Sequence, residues 1–352
     1  MGPVLVVNAG STNLKLHVVD EEEHAVAVSS FAEAPADLAA VAHRVVHGGA
    51  RFREPVLIDA EVRTRISELV ALAPLHNAPA LKAIEAAEQA LVHVPHLAVF
   101  DTAFHHTISD EAAVYAVPAR WREEWGIRRY GFQGLSVAWT AERVPQIVGE
   151  PVRRLVVCHL GGGSSVTAVV EGRSVDTTMG FTPLEGVPMT TRAGSVDPGA
   201  LLYVLRSGAL DSAALEHELN FDSGLRGLAG GSGEMLELEG RVEGGDEAAK
   251  LALDVYVHRL AAAVAAMAAA AGGIDALAFT AGIGEHSPLV RERVCMRLAF
   301  LGVVLDKARN RDAGADAVVS TPESAVRVVV VRAREELVAA RAARALLSDR
   351  RA

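Results

Sequence analysis

"RLVVCHLGGGSSVTAVVEGR", residues 154–173, repeats the pattern of "VLVVNAGSTNLKLHVVDEE", residues 4–22. In each, a Leu-Val-Val run passes a short spacer into glycine. A Ser-containing turn and a second β-rich run follow, ending Val-Val-acid. β-Branched runs on both sides of a glycine turn predict an antiparallel hairpin. Two such hairpins about 150 residues apart predict a duplicated architecture.

Working outward, Val4–Val7 and Leu14–Val19 read as strands around the first turn, with a further strand over Val26–Ser30. Asp37–Val46 reads as helical or mixed. Asp59–Leu72 has helix-spaced apolar residues, "APLHNAPA" breaks it with two prolines, and Ala80–Leu91 forms the next helix. "HLAVFDTAFHH" is a short apolar strand ending on an acid. Trp121–Trp125 reads as a helix and "RRYGFQG" as a glycine loop. "FTPLEGVPMTTRAGSVDPGA" and "FDSGLRGLAGGSGE" read as loops. Leu251–Ala271 is a long helix, "IDALAFTAGIGE" a buried strand entering a Gly-x-Gly turn, Arg327–Val331 a last strand and Glu335–Leu347 a last helix. Strands alternating with helices predict an α/β protein.

The length, 352 residues, predicts two domains, and 50% hydrophobic with 22% charged residues is an ordinary globular composition. A net charge of −10 argues against nucleic acid or an anionic membrane as partner. A small anionic substrate stays open, because a local basic pocket can sit in an acidic protein. Cys158 and Cys295 make no metal spacing, which suits a reducing cytoplasm. The opening residues have neither a basic nor a long apolar region, so no signal peptide is expected. "LAAAVAAMAAAAGG", residues 260–273, is too short for a span and reads as a buried helix.

A glycine turn lets backbone N–H groups approach a phosphate, because no Cβ intervenes. One such turn is equally a plain hairpin turn. Here the turn is duplicated, a third one follows a buried strand in "FTAGIGE", and Lys15 stands just past the first as a point charge. Two such turns in two duplicated halves suit the phosphates of a nucleotide. Neither a Walker A loop nor a dinucleotide fingerprint is present.

"NAGSTNLK", "HRVVHGG", "PLHNAP", "VFDTAFH", "RRYGFQG", "CHLGGGSS", "PLEGVPMTTR", "FTAGIGE" and "REELVAAR" occur in this order along nearly the whole chain. The sequence thereby resembles the acetate kinase (acetate/propionate kinase) family. The resemblance implies a duplicated actin-like, ribonuclease H-like α/β fold of two domains with a central cleft. Their approximate extents are 1–103 plus 336–352, and 104–335. It implies Mg²⁺-dependent phosphoryl transfer from ATP to acetate, giving acetyl phosphate and ADP, by a cytoplasmic homodimer. Mn²⁺ is an alternative metal, and propionate or another short-chain carboxylate an alternative acceptor.

By the same resemblance, Arg44 binds the acceptor carboxylate, and Val46, Leu75, Phe132 and Pro183 surround the acyl group. Asp101 and Arg192 are catalytic, and Asn8 and Glu335 belong to the metal site. Lys15, the run His159, Leu160, Gly161, Gly162 and Gly163, and the run Gly282, Ile283, Gly284, Glu285 and His286 face the nucleotide. His76 lies near the site or simply packs, while His17, His24, His93 and His258 read as surface or packing residues. Acceptor ionisation at neutral pH makes a general base unnecessary.

Four departures stand close to the chemistry. Gln133 replaces the family's catalytic histidine, Gly162 an asparagine, and Asn13 a serine-like residue of the first turn. Glu234, Met235 and Leu236 occupy an Asp-x-Arg segment of the nucleoside region, so its arginine is missing. The chain is also short between Asp20 and His43. These changes leave open a changed phosphoryl donor, or a weakened scaffold that binds without catalysing.

Overall fold

The computed structural model describes residues 2–10 and 14–349. The chain forms two compact units. One comprises Met1–His106, Ala116–Trp139 and Arg334–Ala352, the other Thr107–Tyr115 and Thr140–Ala333. The stretch 116–139, expected with the C-terminal half, clusters with the first unit. Its anchors are the Gly134 N–H donating to the Asp101 carbonyl at 2.9 Å and the Tyr130 and Phe132 rings edge-on to His47.

The first unit holds a six-stranded sheet built from β1 (Val4–Ala9), β2 (Leu14–Val19), β3 (Ala25–Val28), β4 (Ala40–Val45), β5 (Val56–Leu57) and β6 (His96–Phe100), in the order β3-β2-β1-β4-β6-β5. The meander β1–β3 is antiparallel, β4 and β6 run parallel to β1, and β5 closes the edge antiparallel. Successive side chains point to opposite faces of a strand. Leu5 and Val7 of β1 and Val41 of β4 accordingly meet Ala83 and Ala87 of the helix Pro74–Ala90. The C-terminal helix Glu335–Asp349 buries Leu337, Ala339, Ala340 and Ala343 and packs against β1, β2, β4 and β6.

The second unit repeats the plan with β7 (Arg154–Leu160), β8 (Ser164–Val170), β9 (Arg173–Thr177), β10 (Ala276–Thr280), β11 (Ala317–Val318) and β12 (Arg327–Val331), in the order β11-β12-β10-β7-β8-β9. Meander, two parallel additions and an antiparallel edge recur in the same chain order. The duplicated α/β fold expected from the hairpins is therefore present. The strand connections differ between the copies. Between β9 and β10 runs the 24-residue helix Glu247–Ala270, whereas the β3–β4 connection has only the 3₁₀ turn Phe31–Glu33. In the first unit Phe31, Ala34 and Leu38 cover the apolar face instead.

Glu247–Ala270 is the one helix among the described residues long and apolar enough to cross a membrane by length and composition. Leu253, Tyr256, Leu260 and Val264 bury it in the core of the second unit.

Three expectations are corrected. Asp37–Val46 holds strand β4, not a helix; Val41 and Val45 bury on one face while Ala40 and Ala42 bury on the other, as a central parallel strand requires. "APLHNAPA" does end the preceding stretch, helix Ala60–Glu68 with its 3₁₀ turn Leu69–Leu72, but the next helix starts at Pro74, not at Ala80. Pro74 opens the helix Pro74–Ala90 at its first turn, where no N–H is needed, and Pro79 is carried inside it. "FDSGLRGLAGGSGE" contains the short helix Gly224–Ala229.

Candidate active site

Four segments of the first unit converge at the carboxyl ends of its parallel strands. Asn8 on β1 pairs in register with Arg44 on β4, which places both side chains on one face of the sheet. Asp101 directly follows β6, and Glu335 is the first residue of the C-terminal helix. Arg44 Nε and Nη2 donate to the two Asp101 carboxylate oxygens at 2.9 and 2.6 Å, a bidentate fork. Arg44 Nη1 donates to Asn8 Oδ1 at 3.1 Å and stands 3.2 Å from Glu335 Oε2. Asp101 is 1% exposed, Arg44 and Glu335 less than a fifth. Burial alone would lower the guanidinium pKa; the charges of Asp101 and Glu335 outweigh it and hold Arg44 above its ordinary value. The cluster carries one positive and two negative charges. Its oxygens, from one amide and two carboxylates, are hard donors of the kind Mg²⁺ takes with water and phosphate, so the residues present fit that ion. Lys15 lies opposite Asn8 on β2, on the same face, with its side chain exposed.

The loop before residue 134 is fastened to the same strand end. A Cβ at position 134 would lie 2.2 Å from the Asp101 carbonyl oxygen, so only glycine fits there. The Phe132 carbonyl and the His105 ring nitrogen Nε2 are 2.9 Å apart, and burial pushes the His105 pKa down to about 4, so this nitrogen donates from a neutral ring. Gln133 is buried with a φ of 61°, in the left-handed region that non-glycine residues rarely occupy. Val46 and Phe132 are buried, and Leu75 is half-buried at the start of its helix. Asn77 holds that helix to the turn after β4. Its Oδ1 accepts from His47 N–H at 3.1 Å and its Nδ2 donates to the His47 carbonyl at 3.0 Å. The sequence motifs that contain His47, Asn77 and His105 assign these three residues no role. The signal available was a histidine or asparagine inside a buried apolar run.

In the second unit, the glycine turn Gly161–Gly163 joins β7 to β8 and is tied by Gly161 N–H to the Gly163 carbonyl at 3.0 Å. A Cβ at Gly162 would meet nothing within 4 Å. His159 and Leu160 are buried, so the turn itself is what the unit presents. Gly282, Ile283, Gly284 and His286 lie in the short helix Ala281–His286 directly after β10. Glu285, which the family resemblance places in the nucleotide segment, turns its carboxylate to the backbone. Its Oε1 accepts from Ala281 N–H at 2.9 Å and Ala333 N–H at 3.0 Å. Ala281 has a φ of 66°, so this carboxylate holds a strained turn. Met235 is buried in the core, Glu234 is exposed, and Leu236 is 85% exposed. Arg192 Nη1 donates to the Pro183 carbonyl at 3.3 Å, and burial lowers the Arg192 pKa. Asn13 lies outside the described residues.

The acetokinase family model matches residues 29–341. The chain belongs to the acetate kinase family. It is 45% identical over 307 residues to an acetate kinase of Carboxydothermus hydrogenoformans, covering 87% of this chain and 77% of the relative. An acetate kinase of Thermotoga maritima is 47% identical over 310 residues, with the same coverage of 87% and 77%. Among solved structures, a propionate kinase from Francisella tularensis superposes with a TM-score of 0.91 at 32% identity, covering 97% of this chain and 99% of that one. Porphyromonas gingivalis acetate kinase superposes with a TM-score of 0.87 at 33% identity, covering 99% and 100%. The resemblance read from nine motifs is thus a family membership, and the duplicated sheets are the family's fold.

Proposed function

We propose that this chain catalyses reversible phosphoryl transfer from ATP to acetate, giving acetyl phosphate and ADP, with Mg²⁺. The observation that carries the reading is the convergence of Asn8, Arg44, Asp101 and Glu335, from four separate segments, in a chain nearly half identical to acetate kinases.

An acetate oxygen attacks the γ-phosphorus, a P–O bond to the acceptor forms, and the bond to the β–γ bridging oxygen breaks with its electron pair leaving on ADP. The acceptor is already ionised, so no proton has to move. Arg44 is the acceptor clamp, and Asp101 fixes the plane and charge of its guanidinium. Val46, Leu75, Phe132 and Pro183 receive the acyl group. Arg192, a cation lowered in pKa by burial, takes up charge on the transferring group. Gln133 supplies a neutral amide donor where relatives carry a histidine. Asn8 and Glu335 would hold the metal ion. When bound, Mg²⁺ neutralises donor phosphate charge and aligns the phosphates. Lys15 and the turns at 161–163 and 282–284 serve the nucleotide, with Glu285 shaping the second turn from behind. The reading includes a cytosolic homodimer.

Propionate is the second acceptor to test, because a propionate kinase superposes with a TM-score of 0.91. The open space at Gly162 and the exposed Leu236 favour a loosened grip on the nucleoside, and so a wider choice of donor. The experiment is acyl phosphate formation from acetate and propionate, each with ATP, GTP and pyrophosphate, in the presence of Mg²⁺. Product with acetate and a nucleoside triphosphate is expected. No acyl phosphate with any pair would overturn the reading in favour of a non-catalytic scaffold.

A further inference from the structure

A guanidinium presents its best carboxylate-binding edge through Nε and Nη2. In Arg44 that edge is already filled by the chain's own Asp101, at 2.9 and 2.6 Å. The opposite nitrogen, Nη1, is engaged by Asn8 at 3.1 Å and paired with Glu335 at 3.2 Å. In this arrangement, therefore, the acceptor clamp is closed by internal ligands. An incoming carboxylate has to replace one of them or crowd onto Nη1. Asp101 cannot withdraw with its backbone. Its N–H donates to the Val45 carbonyl at 3.0 Å, and its carbonyl accepts from Gly134 at 2.9 Å. The partner able to shift is the long arginine side chain.

The groups that close the clamp are those that fit a divalent cation. We propose that acceptor binding and divalent-cation binding are linked through Arg44: cation and guanidinium compete for the oxygens of Asn8, Asp101 and Glu335, so the cation opens the clamp to the acceptor carboxylate. This rests on the reading of Arg44 as acceptor clamp and of Asn8 and Glu335 as metal residues. Two effects act in the same direction. Oxygens that face a divalent cation are weaker acceptors toward Arg44. A second cation beside the guanidinium also raises the demand for an added negative charge, which the acceptor supplies. Linkage is reciprocal, so the acceptor must tighten the metal by the factor that the metal tightens the acceptor. The coupling needs only the metal and the carboxylate, and so holds even with no nucleotide present.

The test is binding, not turnover. Acetate is titrated into the full chain without nucleotide, followed by saturation-transfer NMR on the acetate methyl group, with and without Mg²⁺. Mn²⁺ binding is followed by electron paramagnetic resonance with and without saturating acetate. We expect Mg²⁺ to lower the acetate Kd at least tenfold and acetate to lower the Mn²⁺ Kd by a similar factor. Asp101→Asn, which removes the anionic occupant, should bind acetate without metal at least tenfold more tightly than the unaltered chain. An acetate Kd indifferent to Mg²⁺, or no acetate binding in either state, overturns the linkage; so does a folded Asp101→Asn chain that binds metal-free acetate no better. Should Asp101→Asn fail to fold, the two titrations of the unaltered chain decide alone. If acyl phosphate forms while the acetate Kd ignores Mg²⁺, the linkage falls and the kinase reading stands. If no acyl phosphate forms with any donor, the kinase reading falls, and the two titrations still decide the linkage.

Discussion

On the proposed reading Arg44 does two jobs, and its removal should show both. As the clamp, it contributes a charge-assisted bond to the acceptor, typically about 1.5–3 kcal/mol. Arg44→Ala is therefore expected to raise the acetate KM roughly ten- to hundredfold with ATP KM nearly unchanged. As the partner of Asp101, it neutralises a carboxylate that is 1% exposed. Stranding one member of a buried pair costs about 3–5 kcal/mol. Arg44→Ala should thus also lower Tm, on the order of 10 °C for a unit of this size. A variant with an unchanged acetate KM would remove Arg44 from the acceptor site. Gln133 gives an independent check. Its amide donates but never carries charge, and the loop that carries it is pinned at Gly134 and Phe132. Gln133→His should raise kcat with little change in acetate KM, since the gain belongs to the transition state. A slower Gln133→His enzyme would mean that the site has been rebuilt around glutamine. On the donor side, Gly162→Asn meets open space and should lower the ATP KM; an unchanged value would show that the turn does not contact the nucleotide.

At the scale of elements, the same strand ends carry different chemistry in the two copies. Sheet register equates Asn8 with His159, Arg44 with Thr280, and Asp101 with Ala333. The first unit thus keeps an ionic cluster where the second keeps backbone turns steadied by Glu285. Glutamine retains an oxygen acceptor for the Ala281 and Ala333 N–H groups, whereas alanine leaves both unmet. Glu285→Ala should raise the ATP KM severalfold and Glu285→Gln should restore it; equal effects of the two would refute the positioning role. The hairpins and β6 were legible in the sequence because β-branched runs beside glycine have few other uses. β4 was not, since "ADLAAVAHRVV" is apolar on both faces and shows no period. The helix from Pro74 was missed because a proline inside a helix reads as a breaker until tertiary packing, here Ile84 and Ala87 against the sheet, offsets its cost. The site residues were legible only through family motifs. That Asp101 fills the fork of Arg44 depends on distances between segments 57 positions apart, which no local pattern encodes.

Across the whole molecule, buried histidines set the response to acid. Burial pushes His43 down to about 3 and His105 down to about 4, so both stay neutral in the folded chain. Unfolded, each takes up a proton near pH 6.5. The unfolded state then binds more protons, and stability falls as pH drops from about 6.5 toward 4. Two such groups give a slope of about 2–3 kcal/mol per pH unit in that window. Urea titrations between pH 7 and 4.5 should show this loss, and His105→Gln should reduce the slope by about half. A flat profile above pH 5 would mean that the rings titrate normally.

The C-terminal helix Glu335–Asp349 covers β1, β2, β4 and β6, yet 194 residues of the second unit, Thr140–Ala333, are made before it. The ribosome therefore delivers a first sheet that stays bare on one face while the second unit, nearly contiguous in sequence, can finish. The half of the protein that is translated first is completed last. Glu335 arrives with that final helix, so a nascent chain holds Asn8, Arg44 and Asp101 without their fourth member. On the proposed reading such a chain remains chemically silent until synthesis has passed the whole second unit.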